Sequence, residues 1–231
     1  MEKFTAESLL DGKVCLFQPK TGYRYSIDPI LLCDQIPPLD PGSRVLDIGC
    51  GCGIMPLLLG FNHPETTILG IEIQKELAEL AQKNVTENAI DNRISIINKD
   101  IADVSLADIK DCVDLVISNP PYKKVNTGRL NPDPQKAIAR HEVKLNIQTV
   151  FTKADELLCP GGRIMIILPA ERLFDIGRAL AITSICAEWI QFVHTAKDRD
   201  AKRVIFSGLK NKKSPYRVLP PLFLDTQNRA S

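Results

Sequence analysis

Seven short apolar segments alternate with stretches of helical periodicity over most of the chain, and that alternation restricts the fold more than any other feature. The strand-like runs are Arg44–Ile48, Thr66–Ile71, Ile94–Ile97, Val113–Ser118, Arg163–Leu168, Trp189–Val193 and Val204–Gly208. Helical spacing appears from about Ile54 and again over Gln74–Asn88, where Leu77, Leu80, Ala81 and Val85 share one face. Two more helices are expected at Asn146–Leu158, with Pro160-Gly161-Gly162 as a stop signal, and at Glu171–Ile182. Strands apolar throughout are buried on both faces, as parallel strands covered by helices must be. The expected fold class is therefore α/β, a doubly wound, mostly parallel sheet with helices on both faces. In such a sheet ligands bind beyond the carboxyl ends of the strands.

The motifs fall at those ends. Gly49-Cys50-Gly51-Cys52-Gly53 follows the first strand of the body, with glycines at every second position. This is not the dinucleotide fingerprint, whose third glycine comes three residues after the second. Glycines there let a ligand lie against the backbone, or simply permit a tight turn. Asp47 stands just before the turn, positioned to accept from an ammonium group or to orient the loop. Glu72 closes the next strand, where a carboxylate can accept from both hydroxyls of a ribose. Asp100, with Ile101 beside it, follows the third strand. Asn119-Pro120-Pro121-Tyr122 follows the fourth. Adjacent prolines fix φ and hold their carbonyls in set directions. An exocyclic adenine amine is a poor nucleophile because its lone pair is delocalised. Acceptance of both its protons, by the Asn119 side-chain oxygen and the Pro120 carbonyl, favours a pyramidal nitrogen, and a ring such as Tyr122 can stack on the base.

These residues resemble the class I S-adenosylmethionine-dependent methyltransferases. The resemblance implies a Rossmann-like fold with a seven-stranded sheet and S-adenosyl-L-methionine as cofactor. It also implies cofactor contacts from Asp47, Gly49, Gly51, Gly53, Glu72, Ile73, Asp100, Ile101 and Asn119. The Asn-Pro-Pro-Tyr element is similar to that of N6-adenine methyltransferases and of enzymes that methylate a glutamine amide; both targets are planar NH2 groups. Three further segments, Phe17–Asp28, Ala139-Arg140-His141-Glu142 and Arg203–Phe206, resemble the bacterial family that N6-methylates an adenine beside the anticodon of a valine tRNA. The implied activity is methyl transfer to an adenine N6 in RNA, with Asn119, Pro120, Pro121 and Tyr122 catalytic. A protein-glutamine methyltransferase and a catalytically idle RNA-binding module remain alternatives.

Composition limits the rest. A net charge of +1 excludes nucleic-acid binding through bulk positive charge but not a local basic face. The run from Lys197 to Arg217 carries eight cations against Asp198 and Asp200, and reads either as a solvated surface or as an RNA-facing one. Lys123, Lys124, Arg129, Arg140 and His141, with Lys202, Arg203, Lys212 and Lys213, are the candidate RNA contacts. Residues 1–42 read as a cap or lid, with Lys20, Arg24, Tyr25 and Asp28 over the cofactor (Tyr25 and Asp28 as contacts), and 43–231 as the catalytic domain with a basic C-terminal portion. Seven cysteines without a C-x-x-C pair suggest reduced thiols and no metal site, with Cys50 and Cys52 as small turn-fillers. The apolar runs are too short to cross a bilayer, and Met1-Glu2-Lys3-Phe4 lacks the pattern of a secretory signal; a cytoplasmic protein is expected.

Overall fold

A computed structural model describes residues 4–20, 24–121 and 146–224. The chain opens with an antiparallel hairpin of β1 (Phe4–Leu9) and β2 (Val14–Pro19), followed by the short helix α1 (Asp28–Asp34). Pro29 sits in the first turn of α1, where its missing N–H breaks no helical bond. The body then alternates as the apolar runs require: β3 (Arg44–Ile48), α2 (Ile54–Asn62), β4 (Thr67–Glu72), α3 (Lys75–Glu87), β5 (Ile94–Asn98), α4 (Leu106–Ile109) and β6 (Val113–Ser118). After residue 145 come α5 (Ile147–Leu157), β7 (Leu158–Pro169), α6 (Leu173–Leu180), β8 (Ile185–His194) and β9 (Ala201–Lys210). Two strands of two residues each, β10 (Arg217–Val218) and β11 (Leu222–Phe223), finish the described chain.

The main sheet runs β10-β8-β9-β7-β6-β3-β4-β5, with β11 also paired to β8. Seven of its strands are those expected. The extra two arise because the chain after Lys210 lies parallel along the free edge of β8, where Leu219 N–H donates to the Ile190 carbonyl and Leu224 N–H to that of His194. All pairings are parallel except those of β9, which runs against both β7 and β8. The Pro160-Gly161-Gly162 stop lies within β7 rather than before it; the strand begins at Leu158, with a register shift against β6 between Val113 and Leu115.

Alternate side chains of each strand feed two cores, as the period of two demands. On one face Val45, Ile68, Leu115, Ile117, Met165 and Ile167 pack under α1, α2 and α3. On the other, Leu46, Ile48, Val116, Ile164 and Ile166 pack under α4, α5 and α6. Leu31 and Leu32 of α1 are fully buried in the first core, so part of residues 1–42 shares the core of the body. The hairpin is held differently. On α3, Asn84 accepts from Phe17 N–H at 2.8 Å and donates to the Phe17 carbonyl at 2.9 Å, and Asn88 does the same for Cys15 at 2.9 and 2.7 Å. Two carboxamides one helical turn apart thus serve as the missing neighbour strand for the open edge of β2.

One expectation about cysteine fails. Cys112 and Cys159 form a disulfide, while Cys15, Cys33, Cys50, Cys52 and Cys186 are free. Cys112 precedes β6 and Cys159 sits at the start of β7, adjacent parallel strands whose register pairs Val113 with Leu158. Sequence spacing carries no trace of that proximity.

Candidate active site

The carboxyl ends of β5, β4, β3, β6 and β7 form one edge, and the motifs stand along it in that order: Asp100, Glu72, the glycine turn, Asn119 and Pro169. The Ile71 carbonyl at the end of β4 accepts from both Gly49 N–H (2.8 Å) and Cys50 N–H (3.0 Å). These two bonds bend the chain sharply out of β3. Gly49, Gly51 and Gly53 all have left-handed φ, at 78°, 58° and 86°, a conformation that side-chain-bearing residues rarely adopt. Gly53 has a second constraint, since a Cβ there would lie 3.2 Å from the Ala81 Cβ of α3. The third glycine therefore serves helix packing as well as the turn. Cys50 and Cys52 are buried within the turn, and burial pushes the Cys50 thiol well up and that of Cys52 to about 12. Both stay protonated and act as small apolar fillers.

Asp47 lies beneath this turn with 0% of its surface exposed, and neither carboxylate oxygen has a hydrogen-bond partner among the described residues. Burial, and then the nearby charge of Glu72, push its carboxyl well above the usual carboxylate range. A fully buried acid without a donor is costly, and a cationic group entering above the turn would relieve that cost. Glu72 is also buried, but each oxygen holds a backbone N–H: Oε2 takes Gly51 at 2.9 Å, Oε1 takes Gln74 at 2.9 Å. The carboxylate thus pins the glycine turn and still has lone pairs for a ligand. Ile73 beside it is 42% exposed. Asp100 is exposed and caps the following turn through Ala102 N–H at 2.9 Å, while Ile101 is buried in the second core.

Ser118, the last residue of β6, donates from Oγ to the Ile48 carbonyl at 2.8 Å. That buried bond ties the ends of β6 and β3 together and sets Asn119 and Pro120 beside the glycine turn. Tyr122, Lys123, Lys124, Arg129, Arg140 and His141 lie outside the described residues.

The proposed lid residues are already engaged within the protein. Tyr25 donates to Glu7 at 2.8 Å, and Arg24 also pairs with Glu7. Asp28 is buried and bonded to Arg203 Nε at 2.9 Å. Two residues assigned separately, one to cofactor and one to RNA, thus neutralise each other and join α1 to β9. Lys20 and Lys202 are exposed.

The basic run does not form one surface: Lys202 and Arg203 stand at one end of β9, and Lys212 and Lys213 lie past the other. Because β9 is antiparallel, Lys202 and Arg203 begin at the carboxyl edge, opposite Pro169, and the strand ends at the amino edge. Lys212 lies there, near Gly161 and in a concavity with Pro37, Asp40 and Asp114. Ten strand residues at about 3.3 Å each separate the two ends by roughly 30 Å.

Sequence reasoning missed Asn84. Its Nδ2 also donates to the Cys52 carbonyl at 2.8 Å, so this one buried side chain links hairpin, α3 and glycine turn. A poor helix former inside an otherwise regular helix was the available signal. Among the described residues no group of three His, Cys, Asp or Glu side chains is placed to hold a metal, and no helix is long and apolar enough to cross a membrane.

A family model described as "Methyltransferase small domain" matches residues 29–180. The tRNA1(Val) (adenine(37)-N6)-methyltransferase of Porphyromonas gingivalis is 35% identical over 172 residues, covering 72% of this chain and 67% of that protein. Proteins of the same name from a Flavobacteriaceae bacterium and from Aeromonas hydrophila are 29% and 28% identical, covering 68% and 73% of this chain and 64% and 69% of theirs. The chain thus spans about two thirds of the length of these relatives. Among solved structures, a predicted O-methyltransferase from Agrobacterium tumefaciens superposes with a TM-score of 0.69 at 20% identity, over 88% of this chain and 90% of that one. TrmN from Thermus thermophilus gives 0.55 at 20% identity, over 79% of this chain and 47% of that one. At such identities the likeness concerns the fold.

Proposed function

The chain belongs to the methyltransferase small domain family, and from that premise we propose that it methylates the exocyclic N6 amine of an adenine in tRNA. Position 37, beside the anticodon, is the favoured target, after the names of its relatives. Residues 43–231 carry the activity, with 1–42 as a cap, and the enzyme works in the cytoplasm, where the Cys112–Cys159 bridge is an exception to otherwise free thiols.

The observation that carries this reading is the buried Asp47 carboxylate, without a partner among the described residues, under a left-handed glycine turn and in line with Glu72 and Asn119. That donor set fits S-adenosyl-L-methionine, which supplies a methyl group on a positively charged sulfur. Asp47 would hold the cofactor's ammonium group, and the backbone of Gly49–Gly53 would lie against its methionine part. Glu72 would accept from the ribose hydroxyls, and Ile73, Asp100 and Ile101 would border the adenine. Asn119 and the Pro120 carbonyl would accept the two protons of the target amine, turning its lone pair toward the donor side. The Pro120-Pro121 pair has no N–H to compete for those carbonyls. Tyr122 would stack on the base. The amine loses its proton to solvent after transfer, so no strong base is required; alignment and oriented dipoles supply the rate. An unpaired anticodon-loop base costs less to extrude than one in a duplex.

Incubation with labelled cofactor and unmodified tRNA, followed by nucleoside analysis, tests the reading. Label is expected in N6-methyladenosine. Label confined to protein glutamine would overturn it in favour of amide methylation, and no label with intact tRNA binding would leave an idle module.

A further inference from the structure

Beyond the base pocket, the same sheet edge carries a concavity of about 200 Å³ lined by Asn146, Ile147, Gln148, Arg172, Asp175 and Arg178. We propose that Arg172, Phe174 and Arg178 form a second RNA-binding subsite, in which the two guanidinium groups hold a backbone phosphate and the Phe174 ring stacks on an unpaired base next to the target. This inference rests on the RNA reading given above.

Position is the first argument. β7 pairs with β6 up to Ser118–Ile166, one residue before Asn119, and ends at Pro169. The turn Ala170–Arg172 and α6 follow at once, so the cluster stands next along the carboxyl edge from the proposed base pocket. Charge is the second. Asp175 accepts from Arg172 Nε at 2.8 Å and from Arg178 Nη1 at 3.0 Å. One carboxylate thus orients two cations, and the group keeps a net positive charge. Each guanidinium has five N–H donors, and Asp175 engages a single nitrogen of each. Arg172 has 18% of its side chain exposed and is held in place, whereas Arg178 has 70% exposed.

Phe174 is the third. It is 79% exposed, while Leu173 before it packs against the core and Ile176, two residues on, is buried in it. A four-residue step puts Phe174 and Arg178 on one helical stripe. An exposed aromatic ring beside oriented cations suits single-stranded nucleic acid, where stacking accepts any base and phosphate contacts set position. Ile182, in the turn just past the end of α6, is 61% exposed as well. A second copy of this chain is therefore the competing occupant.

The test uses the intact protein and an anticodon stem-loop RNA with an adenine at the target position. Phe174→Ala should raise KM for the RNA at least about fivefold, leaving kcat and cofactor affinity unchanged, and Phe174→Trp should restore the wild-type value. Arg178→Gln should reduce the slope of log affinity against log salt by about 0.7, the value for one phosphate contact on a single strand. Both positions are on the surface, and unchanged melting temperatures would show that the variants fold. Wild-type KM and salt slope in both variants would overturn the subsite while leaving the methylation reading intact. So would a dimer of the wild-type protein in sedimentation that Phe174→Ala dissociates. A wild-type protein that methylates no RNA would overturn both readings.

Discussion

Asp47 is the residue at which stability and function oppose each other. Its carboxyl is held above its unfolded value by burial and by the charge of Glu72. The folded protein therefore binds that proton more tightly than the unfolded chain, and stability falls as pH rises above the ordinary aspartate value near 4. Asp47→Asn should accordingly raise the melting temperature of the cofactor-free protein at neutral pH, with the gain shrinking as pH is lowered toward 4. It should also weaken cofactor binding, measured by calorimetry. A variant no more stable than wild type at neutral pH would mean the carboxylate has a partner after all. Asn119→Ala should behave in the opposite way. Turnover is expected to drop by about 10² or more, the usual effect of losing one oriented polar group, with cofactor affinity nearly unchanged. Equal loss of affinity in calorimetry would move Asn119 from the acceptor side of the site to the donor side.

At the scale of elements, the hairpin and the glycine turn are coupled through α3. The Asn84 side chain makes three hydrogen bonds, two part-buried ones to Phe17 and a buried one to the Cys52 carbonyl. Asn84→Ala should cost about 1–3 kcal/mol for each backbone group left buried and unpaired. Hydrogen exchange should then quicken in β2 and in the turn together, and cofactor affinity should fall although Asn84 touches no proposed ligand. Faster exchange in β2 alone would separate the cap from the site. The helix containing Ala81 and Val85 was legible from spacing, because a stripe every 3.6 residues can face only one way. The carboxamide bridge was not, since an Asn can equally face solvent, cap a helix or bond a strand edge.

Across the whole molecule, the antiparallel course of β9 decides which cations can serve the site. Lys202 starts that strand on the carboxyl edge and Lys212 lies beyond its other end. Reversing the charge of Lys202 should raise KM for RNA, while reversing Lys212 and Lys213 together should change it less than about twofold at physiological salt, given a screening length near 8 Å. A larger effect from the Lys212 and Lys213 pair would show that the RNA wraps around the sheet to its far edge.

The seven long strands, the glycine turn, and the placement of Asp47, Glu72 and Asn119 at strand ends could be read directly from the chain. They depend on local rules: apolar periodicity, the conformational freedom of glycine, and the parallel sheet's habit of presenting its carboxyl ends on one side. Pairings between distant residues could not. Asp28 with Arg203, Cys112 with Cys159, and Asn84 with Phe17 join residues 175, 47 and 67 positions apart. Local spacing carries no signal for such partners, because only the packed sheet and helices bring them within bonding distance.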